Sequence, residues 1–193
     1  MANTLKHDRS EVLDKATNLF WEKGFHATSM RNLQDHIDMR PGSIYATFGS
    51  KEGLFKESLN HYAKTSLARL TESTKTSESP LAALKAFIKT VVLNCREDTP
   101  SEMCMLVKAI AELTEENGEL LDEAKGLLKA VEQALTQLIE QAQAAGEVDS
   151  SKDAARLARY IQMQLIGLRV YARVSPDEDE LVAMIDDSIA SMV

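Results

Sequence analysis

The side chains best placed to carry chemistry lie in residues 28 to 54, where two short amphipathic segments are separated by a tight turn. Thr28 is a residue type that caps helix N-termini. After it, apolar residues recur at spacings of three and four, which predicts a helix with one apolar stripe: Met30, Leu33 and Ile37. Asp38 tolerates the left-handed backbone of a sharp turn, and Pro41 suits the first turn of a second helix. The pattern predicts a helix-turn-helix.

The second of these helices is short and carries Ile44, Tyr45 and Phe48 at helical spacing. A helix of this length is not stable alone, so neighbouring helices must hold its apolar side chains. Its polar side then stays free, which suits it to a groove of DNA.

The same stretch resembles the DNA-binding domain of the TetR family of transcriptional regulators. The resemblance rests on the run Thr28 … Gly42-Ser43-Ile44-Tyr45-x-x-Phe48-x-Ser50-Lys51-Glu52-x-Leu54-Phe55, preceded by Ala16 … Leu19-Phe20 … Gly24-Phe25. It covers about the first third of the chain closely, and the remainder only in helical layout and length. It implies that the second helix enters the major groove, while the helices behind it bind a ligand and form a dimer.

The chain departs from the family pattern around the turn. Gln34, Ile37 and Asp38 stand where the family usually has small residues and a turn glycine, and Arg40 stands where a capping Ser or Thr is common. The operator sequence therefore cannot be borrowed from any relative.

The resemblance also implies a role for each polar residue of the head. Base edges are reached from the exposed start of the second helix, which here has Arg40, Pro41 and Ser43, while Gly42 allows a close approach of the backbone. Arg40 is the candidate for a bidentate contact to guanine. In the family, hydroxyls and a cation usually hold the phosphates, and the matching positions here are Thr28, Tyr45, Thr47 and Lys51. The alternative for two of them is structural: Tyr45 would be a core aromatic and Lys51 a solvated lysine.

Composition and charge bound the class of protein. The chain has 193 residues, 44% of them hydrophobic, which is enough for one or two domains with a sizeable core. Residues 1 to 60 carry eight basic and eight acidic residues, so the net charge of -8 belongs to the remainder. DNA phosphates therefore repel the N-terminal part less than they repel the rest of the chain. Because no signal peptide or membrane-length apolar run is evident, we expect a cytoplasmic protein.

An enzyme is the main alternative class, and the sequence gives it little support. It has no Gly-rich phosphate loop and no Gly-x-Ser-x-Gly motif. Cys95 and Cys104 show no metal-like pairing with the four histidines, so both are expected to be free thiols. We predict no enzymatic activity, no metal and no other cofactor. A third class, an all-helical interaction module without specific DNA binding, stays open.

Helix signals recur along the chain and strand signals are nearly absent, which predicts an all-α fold of about nine helices. Asp8 with Glu11 predicts the start of the first helix and Gly24 its end. Pro80 predicts the start of the fifth, and Thr99 to Glu102 the start of the sixth. The predicted domains are residues 1–50, a helix-turn-helix head, and residues 71–193, an effector-binding and dimerisation body, joined by a fourth helix over residues 51–70.

In the resembled family, helices five to seven enclose a ligand cavity. No Arg, Lys or His cluster is evident there apart from Arg96 and Lys108, so an uncharged or weakly polar effector is expected. An alternative is that Cys104 reacts with electrophiles or oxidants, since cysteine is common at this place in one branch of the family. The candidate pocket residues are Phe87, Val91, Cys95, Met103, Cys104, Met105 and Val107.

The last two predicted helices each have an apolar face, and this feature together with the resemblance favours a four-helix dimer bundle. The alternative is that these faces only close the core of one chain. The residues concerned are Leu157, Ile161, Leu165, Leu168, Leu181, Ile185 and Ile189. Together the patterns predict a dimeric repressor that a small effector releases from a palindromic DNA operator.

Overall fold

The computed structural model describes residues 9–93, 99–175 and 177–192. Across these ranges the chain forms nine α-helices and no β-strand, which confirms the predicted all-α fold. The helices are α1 Arg9–Lys23, α2 Met30–Ile37, α3 Pro41–Phe48, α4 Lys51–Thr76, α5 Pro80–Leu93, α6 Met105–Glu112, α7 Gly118–Ala144, α8 Ala154–Tyr171 and α9 Glu178–Ala190. No helix in the described ranges is both long and apolar enough to cross a membrane.

Three of the predicted punctuation signals are confirmed. Gly24 ends α1 with φ 86°, a conformation that favours glycine. Asp38 ends α2 in the left-handed region, with φ 55° and ψ 38°, and Pro41 is the first residue of α3. The predicted capping pair at the start of α1 includes Asp8, which lies outside the described residues.

The predicted cap of α2 was wrong by one residue. Ser29 is the N-cap: its hydroxyl accepts from the backbone N–H of Asn32, and the Asn32 side chain accepts from the Ser29 N–H. Thr28 is buried instead, and its hydroxyl donates to the Gly24 carbonyl at 2.6 Å. The Thr28 hydroxyl therefore belongs to the end of α1, and the cap of α2 lies one residue farther along the chain.

Two helix limits differ from prediction. α4 continues to Thr76 rather than ending near Leu70. In its polar last turns, hydroxyls donate to carbonyls one turn back, as Thr71 does to Leu67, so these side chains are accommodated within the helix. α6 begins at Met105 rather than at Pro100. The carbonyls of Glu102 and Met103 accept from the side chains of Arg169 and Trp21, so tertiary contacts hold this segment outside the helix.

Two apolar cores run through the described part of the molecule. The first joins α1, α2, α3 and the start of α4 to α6 and the start of α7, and it buries the aromatic residues predicted for the head: Phe20, Trp21, Phe25 and Phe48. The second joins α5, α8 and α9 to the later turns of α7. α4 contacts both groups, because it packs against α1 and α3 at one end and against α5 and α7 farther along.

The apolar faces predicted for dimerisation lie inside the molecule. All seven residues are buried in the single chain, and those of α8 and α9 contact α5 and α7. These faces thus help to close the core of the single chain. The side chains concerned are Leu157, Ile161, Leu165, Leu168, Leu181, Ile185 and Ile189.

Candidate nucleic-acid interface

α3 is held by two side chains and exposed everywhere else. Ile44 and Phe48, four residues apart, are buried against the head core. Between and before them, Tyr45 is 49% exposed and Ser43 and Thr47 are also exposed. Tyr45 is therefore a surface residue rather than a core aromatic. The helix can present one polar face to a partner without losing its anchor.

The first turn of α3 is open. Arg40 is the N-cap but makes no side-chain capping bond, and its side chain is exposed. A Cβ added at Gly42 would meet no atom within 4 Å, so the space over this turn is free. At the other end of the helix, Thr47 donates its hydroxyl to the carbonyl of Ser43 at 2.8 Å. A ligand at the first turn of α3 therefore meets side chains and backbone directly.

The joint between α3 and α4 depends on two glycines that the sequence patterns did not single out. Gly49 ends α3 with φ 76°. Ser50 then caps α4 by accepting from the Gly53 N–H at 3.1 Å. A Cβ at Gly53 would lie 2.1 Å from the carbonyl oxygen of Phe48, so only glycine allows the two helices to approach this closely. A glycine within the first turn of a helix is the signal that could have revealed this contact.

Two of the predicted phosphate-binding residues sit differently from the others. Thr28 is buried, so its hydroxyl does not reach the surface. The Lys51 ammonium lies over the Phe25 ring, 4.3 Å from its centroid. Partial burial lowers the pKa of Lys51, while Glu52 and Glu112 act in the opposite direction. Lys51 thus lies at the junction of α4 with the α1–α2 turn.

α6 contacts the head through charged side chains. The Glu112 carboxylate accepts from the backbone N–H groups of Phe25 and His26, at 2.9 and 2.6 Å. The Lys108 ammonium donates to the carbonyls of Trp21 and Glu22 at the end of α1, at 2.6 and 3.0 Å. The two residues therefore satisfy backbone groups that the end of α1 leaves without helical partners.

A largely apolar cavity lies behind the head, between α4, α5, α6, α7 and α8. The cavity volume is about 50 Å³, and the surrounding empty space reaches about 620 Å³ when the open solvent at the mouth is included. Of the residues predicted for it, Phe87, Val91, Cys104 and Val107 line it. Met103 lines a smaller adjoining pocket, whereas Met105 is buried in the head core. Cys95 lies outside the described residues.

Sequence patterns missed the cavity's polar lining, because it comes from α4 and α8 rather than from helices five to seven. Tyr62, Ser66 and Arg69 come from α4, and Gln162 and Arg169 from α8. The expected lack of a basic cluster concerned helices five to seven, whereas the arginines that face the cavity, Arg69 and Arg169, come from α4 and α8. Lys108 is turned toward α1. The available signal was Arg169, which stands between Leu168 and Val170 in an apolar stretch of α8.

The guanidinium of Arg169 is fixed in the cavity wall. Its Nε donates to the Glu102 carbonyl at 2.6 Å, and Nη1 lies 3.4 Å from the Tyr62 hydroxyl. Burial raises the pKa of Tyr62, and the adjacent Cys104 thiol acts in the same direction, so the phenol stays protonated near neutral pH. The Tyr62 ring also packs edge-on against Trp21, with centroids 5.0 Å apart. The cavity is thereby in contact with α1.

The head and body match two models of known protein families. Residues 12–58 match the bacterial regulatory proteins of the tetR family, and residues 80–186 match the tetracyclin repressor-like C-terminal domain. The second match alone spans more than half of the chain.

The chain belongs to the TetR family.

This family consists of transcriptional regulators rather than enzymes. Over 181 residues the chain is 32% identical to the HTH-type transcriptional repressor ComR of Escherichia coli strain K12. This match covers 91% of the chain and 84% of ComR. It is 26% identical to the uncharacterised HTH-type regulator YezE of Bacillus subtilis, over 98% of both chains.

A solved structure shows the same arrangement of helices. The TetR-family regulator CifR, solved as a cysteine mutant complexed with 26 bp double-stranded operator DNA, has a TM-score of 0.85 to this chain. The two sequences are 26% identical, and the match covers 96% of this chain and 97% of CifR.

Proposed function

We propose that this TetR-family protein is a dimeric transcriptional repressor that a small effector releases from a palindromic operator. The observation that carries the proposal is α3, which is anchored by Ile44 and Phe48 and exposed over its remaining surface. Its open first turn can approach base edges in a major groove, which admits an α-helix. The names of two relatives support this reading: ComR is a repressor, and CifR was solved on operator DNA.

Within this proposal, the exposed side chains divide into two roles. Arg40, Pro41 and Ser43 read base edges, with Gly42 allowing close approach, because they form the open start of α3. Tyr45, Thr47 and Lys51 contact phosphates. Thr28 is left out of the direct contacts because its hydroxyl is internal.

Dimerisation follows from the small size of one head. A single short helix touches few bases, so two heads must lie about one DNA turn apart, roughly 34–36 Å. The surface we propose for the partner is the outer face of α8 and α9 with the turn after α8. Met163 of α8 is 63% exposed, and Val174 of that turn is 75% exposed. Val170, Tyr171 and Met184 extend this apolar face. Gly167 lies within it, and nothing lies within 4 Å of where its Cβ would be.

Effector binding would reach the head through α4 and α6. Both helices line the cavity, α4 with Tyr62 and α6 with Leu106 and Val107. α4 begins directly after α3, the helix that we propose reads the DNA, and α6 holds the end of α1 through Lys108 and Glu112. A ligand that favours one position of these helices would favour one head spacing. A hundredfold loss of operator occupancy needs about 2.7 kcal/mol of differential affinity.

The experiment that tests the proposal is selection of random duplex DNA by the purified protein, followed by sequencing. We expect an enriched palindrome with half-sites about one helical turn apart. The Tyr45→Ala/Lys51→Ala variant should lose the enrichment while keeping its helical content. Lys64→Ala, on the exposed middle of α4, is the matched control and should select the same sequence. Absence of enrichment for the unaltered protein would refute specific DNA binding.

A second candidate is a repressor that senses electrophiles or oxidants through Cys104. The favouring observation is its position: this free thiol lines the cavity and is the N-cap of α6, at the positive end of the helix dipole. The predicted start of α6 had placed it beyond the first turn. An adduct on its sulfur would change the contact between α6 and the cavity.

Treatment with N-ethylmaleimide separates the two candidates. If Cys104 is the sensor, one N-ethylmaleimide group attached to Cys104 should abolish operator binding. The Cys104→Ser variant should bind DNA whether or not it has been treated with the reagent. Mass spectrometry identifies the modified cysteine and separates it from Cys95. Unchanged operator binding by protein fully modified at Cys104 would exclude the thiol mechanism and leave the ligand-released repressor standing.

A further inference from the structure

The polar groups of the cavity indicate the charge of its ligand. Among the described residues that line it, Arg69 and Arg169 are the charged ones, and none is an aspartate or glutamate. This contrasts with the whole chain, whose 30 acidic residues outnumber 22 basic ones. A cavity with cationic groups in an apolar wall attracts an anion, because the low-polarity surroundings screen the interaction less than water does.

The arrangement of Arg169 suits a planar head group. Its guanidinium is at the cavity wall and keeps its charge at every accessible pH. The bond from Nε to the Glu102 carbonyl fixes the side chain in place, and the Glu102 carboxylate is paired with Arg173 at 3.3 Å. The protonated hydroxyl of Tyr62 lies beside Nη1. Carboxylates are bound by guanidinium groups in this way.

The rest of the lining is apolar. Phe87 and Val91 from α5, Leu128 and Val131 from α7, and Leu165 and Ile166 from α8 surround the remaining space. We infer that the effector of this cavity is an amphipathic carboxylate, whose head group meets Arg169 and Tyr62 and whose apolar body lies between α5, α7 and α8. The inference rests on the proposed function, which makes this cavity the effector site.

The test uses two ring-matched probes, 2-naphthoate and its neutral counterpart 2-naphthamide, titrated into the full-length protein by calorimetry near neutral pH. We expect naphthoate to bind at least tenfold more tightly. Arg169→Gln should remove most of that preference and leave naphthamide binding within about twofold. Equal affinity for the two probes, or no detectable binding of either, would overturn the inference.

Further variants keep the result interpretable. Arg69→Gln, at an exposed position, should reduce the preference without disturbing the fold, and it replaces Arg169→Gln if that variant does not fold. Arg159→Gln removes an exposed arginine of α8 that pairs with Glu132 outside the cavity, and should change nothing. Val131→Phe should weaken both probes by filling the cavity; undiminished naphthoate binding would place the site elsewhere and refute the inference.

The DNA selection described above separates this inference from the proposed function. A charge preference in a protein that enriches no DNA sequence would refute the regulator and leave the anion site standing. A protein that selects a palindrome but does not discriminate naphthoate from naphthamide would refute the anionic effector alone.

Discussion

At the scale of single residues, the head depends on which polar groups are already satisfied inside the protein. Thr28 and Tyr45 both carry hydroxyls, yet the first donates to Gly24 in the interior and the second stands half exposed on α3. Likewise, Arg40 is exposed whereas Arg169 is buried in the cavity wall. The surroundings of each group, rather than its type, decide whether it can bind a partner.

Arg40→Ala and Tyr45→Ala should weaken operator binding in different ways. Loss of a bidentate guanine contact costs about 1–3 kcal/mol at one base pair, so Arg40→Ala should relax the preference there. Tyr45→Ala should weaken all sequences about equally, because phosphates carry no sequence information. Binding curves on the operator and its single-base variants measure both effects. A uniform loss for Arg40→Ala would remove it from base reading.

Glu112→Ala should destabilise the protein by about 1–3 kcal/mol, because two backbone N–H groups at Phe25 and His26 lose their acceptor. Glu112→Gln keeps an accepting oxygen and should lose less. The free energy of unfolding in urea measures the difference. Glu140→Gln, at an exposed position of α7, is the control and should stay within about 0.5 kcal/mol of the unaltered protein.

At the scale of helices, backbone contact between α3 and α4 sets the position of the recognition helix. α3 has only eight residues, so its orientation comes from its neighbours rather than from its own stability. The close approach at Gly53 and the turn at Gly49 fix the angle between α3 and α4. A change at this joint should therefore affect stability and DNA binding together.

Gly53→Ala should cost at least about 1–3 kcal/mol, because its methyl group would overlap the Phe48 carbonyl oxygen. Gly126→Ala is the matched control: it also replaces a helical glycine, but nothing lies within 4 Å of the new Cβ. There the substitution should stabilise by about 0.5–1 kcal/mol. Thermal unfolding followed by circular dichroism compares the two. If Gly53→Ala were as stable as Gly126→Ala, the close contact between Gly53 and the Phe48 carbonyl would be refuted.

At the scale of the whole molecule, the proposed function needs two copies, and α8 and α9 are built for contacts on two sides. Their inner faces complete the core with α5 and α7. Their outer faces expose Met163 and Val170 on α8 and Met184 on α9. Apolar side chains of this size grouped on one surface indicate a protein contact.

Gly167→Arg should break the proposed dimer, because it places a long charged side chain at the centre of this outer face. The chain's own fold should survive, since the new side chain enters open space. Sedimentation velocity should show a monomer, and operator affinity should fall at least a hundredfold. Gly126→Arg, on α7, should remain dimeric. An unchanged sedimentation coefficient for Gly167→Arg would place the dimer interface on another surface.

The sequence by itself determined the class of fold, the helix-turn-helix and most helix limits. These features depend on local rules: apolar spacing, left-handed turns at Gly24 and Asp38, and proline at the start of α3. Within the stretch that resembled the family's head, Ile44 and Phe48 lie inside and Arg40 and Tyr45 outside, as expected, whereas Thr28 is buried.

Only the tertiary structure decided which face of a helix meets which neighbour. The apolar stripe of α8 could equally have met a second chain, and the residues of the cavity wall come from helices far apart in sequence, such as Tyr62 and Arg169. The start of α6 was set by side chains of α1 and α8 that take up the preceding carbonyls. Periodicity identifies a buried face but not its partner, because burial against the same chain or another satisfies the same hydrophobic effect.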